Sequence, residues 1–391
     1  MWKLFKITNL LYFFASSYAW WSFSFPANIM LVIFNIIMMA CLMTCPFRMV
    51  FTKRAVYITV TIFAIAAIST YLINISLGLV SFFNYIPALF LFILPLRYKQ
   101  DLLVFITKWY SAILVLSLVT YALTYIVSIP TIGSFHPENL NYPPYENYVF
   151  FIKTTMYDNF IYRFNGPFLE PGHQAMISGI LLFANKYNFK GNKLLWIPLI
   201  SIFLSFSLAG YIILAVGMIL IFVRSVIKLL GFGIIFLIIH FIVSDLWNDG
   251  INPVNILIFD RMQYDEEKGI TGNNRTLEQT DFYFEKCVEN GTIITGVRSM
   301  KEENLKIRGA GYKIFLLRYG LILLLATFIL YFLLISPKSL GRYSISFLIL
   351  LSIVFLQRAY PTWYSWLLPY VLAVNTLSKD RFSKLKSNIT V

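Results

Sequence analysis

The sequence predicts an all-α polytopic integral membrane protein with about 12 transmembrane helices and two large external loops. Of its 391 residues, 59% are hydrophobic, and the mean hydropathy is +0.72. Only 13% are charged, against about 25% in soluble domains. Apolar stretches of the length that a bilayer requires recur from one end of the chain to the other, which favours a helical membrane protein over a soluble one.

Apolar length places twelve spans along the chain. They lie near residues 7–22, 27–46, 55–75, 79–96, 106–128, 172–187, 194–209, 211–227, 229–246, 312–335, 343–357 and 362–377. The first span follows two lysines and superficially resembles a signal peptide. Because it lacks a small-residue cleavage site and further spans follow directly, we expect it to be retained as a helix.

The net charge of +14 raises the question of nucleic-acid binding, but the basic residues follow the topology instead. With twelve spans, more than half of the 32 lysines and arginines fall on one side of the membrane. The short turns on the other side, near residues 22–26 and 76–78, carry none. The positive-inside rule therefore predicts that both termini are cytoplasmic and that nucleic acid is not a partner.

Two connections on the external side are too long to be turns, and they divide the chain into five segments. Residues 1–128 hold the N-terminal helices, 129–171 form the first external loop, and 172–246 hold the central helices. Residues 247–311 form the second external loop, and 312–391 hold the C-terminal helices and a basic cytoplasmic tail.

Each loop contains one segment with a helical interpretation. In the second loop, RTLEQTDFYFEKCVEN runs from Arg275 to Asn290 and places apolar and charged residues at helical spacing. Thr276 is its candidate N-cap, and Gly291 lies just past its end. In the first loop, the apolar patch at residues 149–152 is a candidate for a helix lying on the membrane surface.

The cysteines and histidines do not form a metal-binding pattern. Cys41 and Cys45 lie in an apolar run, Cys287 lies in a polar loop, and the three histidines lack the HxxxH or HExxH spacing of a helix-borne site. We therefore expect neither a metal nor a disulfide framework.

One segment of thirteen residues, RFNGPFLEPGHQA at positions 163–175, concentrates residue types that are rare elsewhere in the chain. Its two prolines disfavour helix, and its two glycines permit unusual backbone angles. We expect a helix to begin near Gly172 or His173. The free N–H groups of its first turn would then face the external side, where they favour phosphate.

The charged residues of this segment have a functional and a structural interpretation. Arg163 offers the planar guanidinium fork that suits a pyrophosphate, and Glu170 lies three residues before His173. In the alternative, Glu170 caps the helix and Arg163 pairs with it. Further along, Arg318 lies six residues into an apolar run. A charge at such a position usually faces a polar cavity, unless it reaches the membrane interface.

These elements together resemble the O-antigen polymerase and O-antigen ligase superfamily of bacterial envelopes. The resemblance covers roughly residues 150–330. It consists of RFNGPFLEPGHQA, a short span, LSFSLAGYIILAVG, a long polar external loop and GAGYKIFLLRYGLI, in that order. It implies an integral-membrane glycosyltransferase of the C-type architecture. Such an enzyme uses a polyprenyl-pyrophosphate-linked glycan as donor, without a nucleotide sugar, a cofactor or a required metal.

The resemblance also implies roles for residues in both external loops. Arg163 in the first loop, and Arg275 or Arg308 in the second, are expected to hold the donor pyrophosphate, with Arg318 as a further candidate. The chemistry also needs a proton acceptor for the attacking sugar hydroxyl, and we expect Glu170 to serve as this base. His173 is the second choice.

One departure from the family favours a polymerase over a ligase. Ligases carry a functional histidine followed by asparagine at the entry to the span after the large loop, whereas this chain has RGAGYK there. A transporter or flippase of lipid-linked glycan is the alternative from another class, but transporters usually show two related halves, and the two large loops break any such symmetry. The expected partners are undecaprenyl-pyrophosphate-linked oligosaccharide, membrane lipid and a chain-length regulator, at the periplasmic face of the inner membrane.

Overall fold

The computed structural model describes residues 1–24, 27–44, 52–72, 86–87, 90–137, 144–154, 163–222, 226–248, 251–252, 254–265, 269–270, 278–297, 311–358 and 363–375. In these residues the protein is predominantly helical. The described α-helices are α1 (Trp2–Ala15), α2 (Ala27–Thr44), α3 (Lys53–Leu72), α4 (Leu96–Ile126), α5 (Pro171–Ala184), α6 (Trp196–Leu204), α7 (Leu208–Phe222), α8 (Val226–Phe241), α9 (Glu278–Glu289), α10 (Gly311–Leu333), α11 (Arg342–Gln357) and α12 (Tyr364–Val374).

Two of the described helices, α4 and α10, are long and apolar enough to cross a membrane. Others, among them α7, α11 and α12, are apolar but shorter. The predicted span at 79–96 lies mostly outside the described residues. The helical class is therefore confirmed, whereas the number of twelve spans stays a prediction.

Helix α5 is the central helix of the described structure. Every residue from Gly172 to Ala184 is buried, and the helix packs against α6, α7, α11 and α12. Polar side chains link it to its neighbours: Tyr110 of α4 and Gln174 each form a 2.9 Å hydrogen bond with Ser178, and Gln174 also donates to Ser201 of α6. Because unpaired polar groups in an apolar interior are costly, these bonds fix the rotation of α5 about its axis.

The first and the last described helices pack against each other. The rings of Tyr12 in α1 and Tyr364 in α12 are stacked with centroids 4.5 Å apart, and the Tyr364 hydroxyl is hydrogen-bonded to Asn9. The backbone N–H of Ser365 donates to Ser16 Oγ at 3.1 Å. Helix α1 is therefore part of the core that surrounds α5.

The first external loop contains a small antiparallel sheet. Its strands are β1 (Gly133–Phe135), β2 (Tyr145–Asn147) and β3 (Ile152–Thr154), hydrogen-bonded in the order β1-β2-β3. In β2, Tyr145 and Asn147 are buried and Glu146 is less so, the alternation that is typical of a strand. The prediction of a surface helix at 149–152 is therefore wrong. Val149 has a φ of +72°, which a helix does not allow, and the next strand begins at Ile152.

The second external loop contains the predicted amphipathic helix. Among the described residues this helix is α9, and Gly291 follows it with a φ of +74°. The left-handed backbone at this position is the usual way to end a helix and favours glycine. A two-stranded pairing of β4 (Tyr264–Asp265) with β5 (Gly269–Ile270) precedes the helix.

Helix α10 is interrupted at Gly320, which has a φ of 77° and a ψ of 169°. The segment at residues 291–297, which follows α9, packs against this interruption, and the N–H of Val297 donates to the carbonyl of Leu317 at 2.8 Å. A Cβ at Gly320 would lie within 2.6 Å of backbone atoms of residues 294–296, and a Cβ at Gly296 would lie 2.8 Å from the nitrogen of Gly320. The two glycines thus allow one backbone to lie directly against another.

Candidate functional site

The segment RFNGPFLEPGHQA forms an irregular approach followed by the start of α5. Gly166 has a φ of +56°, as its place in a turn requires. The helix begins at Pro171, one or two residues earlier than expected. Proline suits this position because its fixed φ matches the helix and its missing N–H would have no helical partner. Glu170 occupies the N-cap position, but its side chain makes no capping hydrogen bond to the described first turn.

The carboxylate of Glu170 instead forms an ion pair with Arg358, the residue that follows α11. Nη2 of Arg358 donates to Oε2 of Glu170, and the side chains are 12% and 23% exposed. The structural interpretation of the sequence had paired Glu170 with Arg163, whereas the structure pairs it with Arg358. Since removing charges from water is costly, such a pair depends on close, charge-assisted contact between its members.

Gly172 leaves the space that the Arg358 guanidinium occupies. A Cβ at this position would lie 3.0 Å from Nη2 of Arg358 and 3.6 Å from Oγ of Ser207. A larger residue would therefore push the guanidinium away from Glu170. The sequence suggested that Gly172 permits unusual backbone angles. The structure places it within α5, where the absence of a side chain leaves room for Arg358.

His173 lies behind Glu170, among aromatic rings. It is 1% exposed, and its Nε2 is 3.7 Å from Oε2 of Glu170, which is longer than a hydrogen bond. Its ring centroid lies 5.7 Å from that of Tyr18 and 5.0 Å from that of Trp363. Of the two predicted proton acceptors, Glu170 is thus the more accessible to a substrate.

A strained turn after α1 places Tyr18 beside this histidine. Tyr18 has a φ of +60°, a conformation that a bulky residue rarely adopts and that often marks a functional site. The turn is held by backbone hydrogen bonds from Leu169 N to Tyr18 O (3.2 Å) and from Trp20 N to Pro167 O (2.9 Å). The chain before α5 and the chain after α1 therefore fix each other.

Arg163 holds the turn between α6 and α7. Its Nε donates to the carbonyl of Ser205 at 3.0 Å, and its Nη2 donates to the carbonyl of Phe206 at 2.9 Å. The next residue, Ser207, is the one whose hydroxyl faces Gly172. The Arg163 guanidinium thus binds the carbonyls of the two residues that precede Ser207. Its role as a pyrophosphate ligand stays a prediction.

The other candidate arginines are Arg275, Arg308 and Arg318. Arg275 and Arg308 lie outside the described residues. Arg318 lies two residues before the interruption of α10, where its carbonyl oxygen would be 2.9 Å from a Cβ at Gly296. Within the described residues, no hydrogen bond or ion pair joins Arg318 to Glu170 or His173.

Sequence reasoning missed three neighbours of Glu170 and His173, namely Arg358, Tyr18 and Trp363. Arg358 is 188 positions away from its partner, so no local pattern connects the two. The sequence signal that could have identified Arg358 is its position at the end of an apolar run, because a charge at such a position usually faces a polar site.

A guanidinium, a carboxylate and an imidazole therefore meet at the partly exposed start of a buried helix. Such a group can bind an anion and accept a proton. In the part of the chain that the structure describes, no three His, Cys, Asp or Glu side chains are grouped so that they could hold a metal ion.

No protein-family model, curated protein or solved structure matches this chain.

Proposed function

We propose that this chain is a membrane glycosyltransferase, an O-antigen polymerase or a polymerase of a related surface polysaccharide. It joins undecaprenyl-pyrophosphate-linked oligosaccharide units at the periplasmic face of the bacterial inner membrane. The observation that carries the proposal is the contact of Glu170 with Arg358 at the start of α5. Transfer from a glycosyl pyrophosphate needs a proton acceptor and a group that stabilises phosphate charge, and these two residues supply both.

The reaction needs one displacement at the anomeric carbon of the donor. The acceptor sugar hydroxyl attacks this carbon and forms the glycosidic C–O bond, while the C–O bond to pyrophosphate breaks. The bonding electron pair leaves with the polyprenyl pyrophosphate, and the hydroxyl proton passes to the carboxylate of Glu170. The arginines stabilise the charge that grows on the leaving group, a contribution commonly worth about 3 kcal/mol per contact.

The helical arrangement supports a lipid-linked substrate. Helices α4 and α10 have the length and apolarity of membrane spans, and α5 is buried among apolar helices. A site at the end of such a helix allows the lipid tail to remain among the helices while the sugars stay in water. The external position of this end follows from the positive-inside prediction.

Surface glycan from a deletion strain tests the proposal and separates it from its alternatives. A lost polymerase leaves one repeat unit on each lipid core. A lost ligase leaves no surface glycan and lets lipid-linked polymer accumulate, and a lost flippase traps single lipid-linked units. Complementation with Glu170→Gln should not restore polymer, although the amide keeps nearly the same shape. Normal polymer in the deletion strain would exclude the proposed function.

The predicted topology has its own test. Reporter fusions at Asn141 and Asn273 should behave as external, and one at Lys384 should behave as cytoplasmic. An external signal from Lys384 would contradict the positive-inside assignment and, with it, the periplasmic site.

A further inference from the structure

The ion pair between Glu170 and Arg358 occupies both groups that the proposed reaction needs. A carboxylate that accepts a hydrogen bond from a guanidinium is a poorer proton acceptor than a free one, because the contact favours its charged form. A guanidinium that donates to a carboxylate has fewer donors left for a phosphate. Separation of the pair would therefore improve both groups for the proposed reaction.

A phosphate group is a chemically matched competitor for this contact. Guanidinium binds carboxylate and phosphate with the same planar arrangement of N–H donors. The Glu170 and Arg358 side chains are 23% and 12% exposed, whereas His173 behind them is 1% exposed, so an anion can approach from the side of Glu170. Gly172 adds no side chain beside the Arg358 guanidinium.

Arg163 shows why the exchange concerns Arg358. Two donors of Arg163 bind main-chain carbonyls, which belong to the turn between α6 and α7 and are fixed by the fold. The contact of Glu170 with Arg358 is made by the end of a side chain, which can rotate away without moving the backbone. Arg358 itself has left the helix, with an extended backbone at φ −124° and ψ 125°.

We propose that Arg358 exchanges partners on ligand binding: a phosphate group of the lipid-linked donor takes the guanidinium from Glu170, and the released carboxylate becomes the proton acceptor. This inference rests on the proposed function and adds an order of events to it. The donor binds first, and its phosphate activates the base. A site without donor keeps Glu170 paired, so that the base is held inactive until there is something to transfer.

Binding of inorganic pyrophosphate to the purified full-length protein in lipid nanodiscs tests the exchange without any transfer step. Glu170→Gln removes the competing carboxylate and should tighten pyrophosphate binding about tenfold. Arg358→Gln removes the binding group and should weaken it by a similar factor. Glu146→Gln, in the sheet of the first external loop, removes a negative charge from a residue that does not contact the site. Arg342→Gln removes a positive charge at the opposite end of α11. Both controls should stay within about twofold of the wild-type affinity.

If a folded Glu170→Gln protein binds neither pyrophosphate nor polyprenyl pyrophosphate more tightly than the wild type does, the exchange is overturned and the pair is a fixed bridge. If Glu170→Gln does not fold, Glu170→Asp tests the same point, because its shorter side chain weakens the pair and should also tighten binding. Polyprenyl pyrophosphate in the same nanodiscs separates the two sources of phosphate. A gain with both ligands or with the lipid alone supports the exchange, and a gain with neither overturns it. Pyrophosphate binding could be tighter in Glu170→Gln and weaker in Arg358→Gln while the deletion strain still makes normal polymer. In that case only the polymerase assignment fails.

Discussion

The start of α5 and the interruption of α10 both depend on glycine, but they hold the molecule together in different ways. At α5, Gly172 makes room for the end of a flexible side chain, which reaches Glu170 from α11. At α10, Gly320 and Gly296 make room for backbone against backbone. A contact made by side chains can exchange one partner for another. A contact between main chains can only form or break, so the second region is expected to determine stability and the first to determine chemistry.

Substitution of Gly320 should have the largest effect on folding. In Gly320→Ala, the new Cβ would lie within 2.6 Å of backbone atoms that cannot move aside, at a φ that disfavours any side chain. A destabilisation of about 3 kcal/mol or more follows from the overpacking and from a positive-φ backbone that only glycine adopts readily. Thermal unfolding in detergent measures it.

Gly233→Ala in α8 is the matched control, since a Cβ there meets nothing within 4 Å. Its unfolding temperature should match or slightly exceed that of the wild type, because alanine favours helix. Equal stability of Gly320→Ala and Gly233→Ala would show that the backbone contact at α10 does not hold the external segment.

Arg163 lies between the two cases, because a charged side chain there binds main-chain oxygens. If it also contacts the donor pyrophosphate, Arg163→Ala should reduce polymer a few hundred-fold, in line with the loss of a transition-state charge contact of about 3 kcal/mol. The protein should remain in the membrane. Arg163→Lys should also be impaired, since lysine keeps the charge but loses the fork.

Quantities of polymer and of membrane-inserted protein, compared in the same cells, separate the roles of Arg163. A loss of polymer in proportion to a loss of protein would show that Arg163 only holds the turn between α6 and α7. Wild-type polymer from Arg163→Ala would remove this residue from the site.

Gly172→Ala should separate chemistry from stability most directly. The atom that its Cβ would approach, at 3.0 Å, is the end of the Arg358 side chain, which can give way. Alanine is favoured over glycine in a helix by about 1 kcal/mol, which opposes the cost of displacing the Arg358 side chain. The unfolding temperature should therefore change little. Polymer should fall about tenfold, because small displacements of a catalytic group are costly. A large fall in the unfolding temperature would show that this contact is as rigid as that at α10.

The smallest expected effect concerns Cys287 on α9, which reports whether the external segment stays packed. This thiol is 3% exposed, and burial raises its pKa, so it should react slowly with a membrane-impermeant maleimide near pH 7 and faster as the pH rises and the thiolate forms. Phe282→Cys, at a position that is 71% exposed on the same helix, should react rapidly when Cys287 is replaced by serine. Both measurements use spheroplasts in which this protein carries no cysteine other than the one being labelled. Labelling of Phe282→Cys only after permeabilisation would contradict the external position of this loop.

Patterns within a few residues predicted the local structure well. The helical spacing before Gly291 predicted α9, and the Pro171–Gly172 pair predicted the start of α5 to within one or two residues. The surface helix at 149–152 failed because apolarity alone does not separate a helix from a strand in so short a run.

Contacts between distant segments could not be predicted in the same way. Glu170 was singled out in the sequence as a charged group three residues before His173, but its contact with Arg358 depends on how α11 packs near α5. The interruption at Gly320 is equally invisible, because glycine is common in membrane helices and most such glycines do not break them. Only the packing of residues 294–296 shows why this one does.

The contacts of Glu170 with Arg358 and of α1 with α12 join segments that are far apart in the sequence, which has a consequence for biogenesis. Glu170 and Arg358 are separated by 188 residues, which a ribosome takes about 10–40 seconds to translate. During this interval Glu170 has been synthesised but Arg358 has not, and Tyr364, on which Tyr12 of α1 stacks, is also still missing. The candidate site is therefore completed only after α11 has left the ribosome. Until then, the nascent chain depends on lipid or on the insertion machinery to cover what α11 and α12 will cover later.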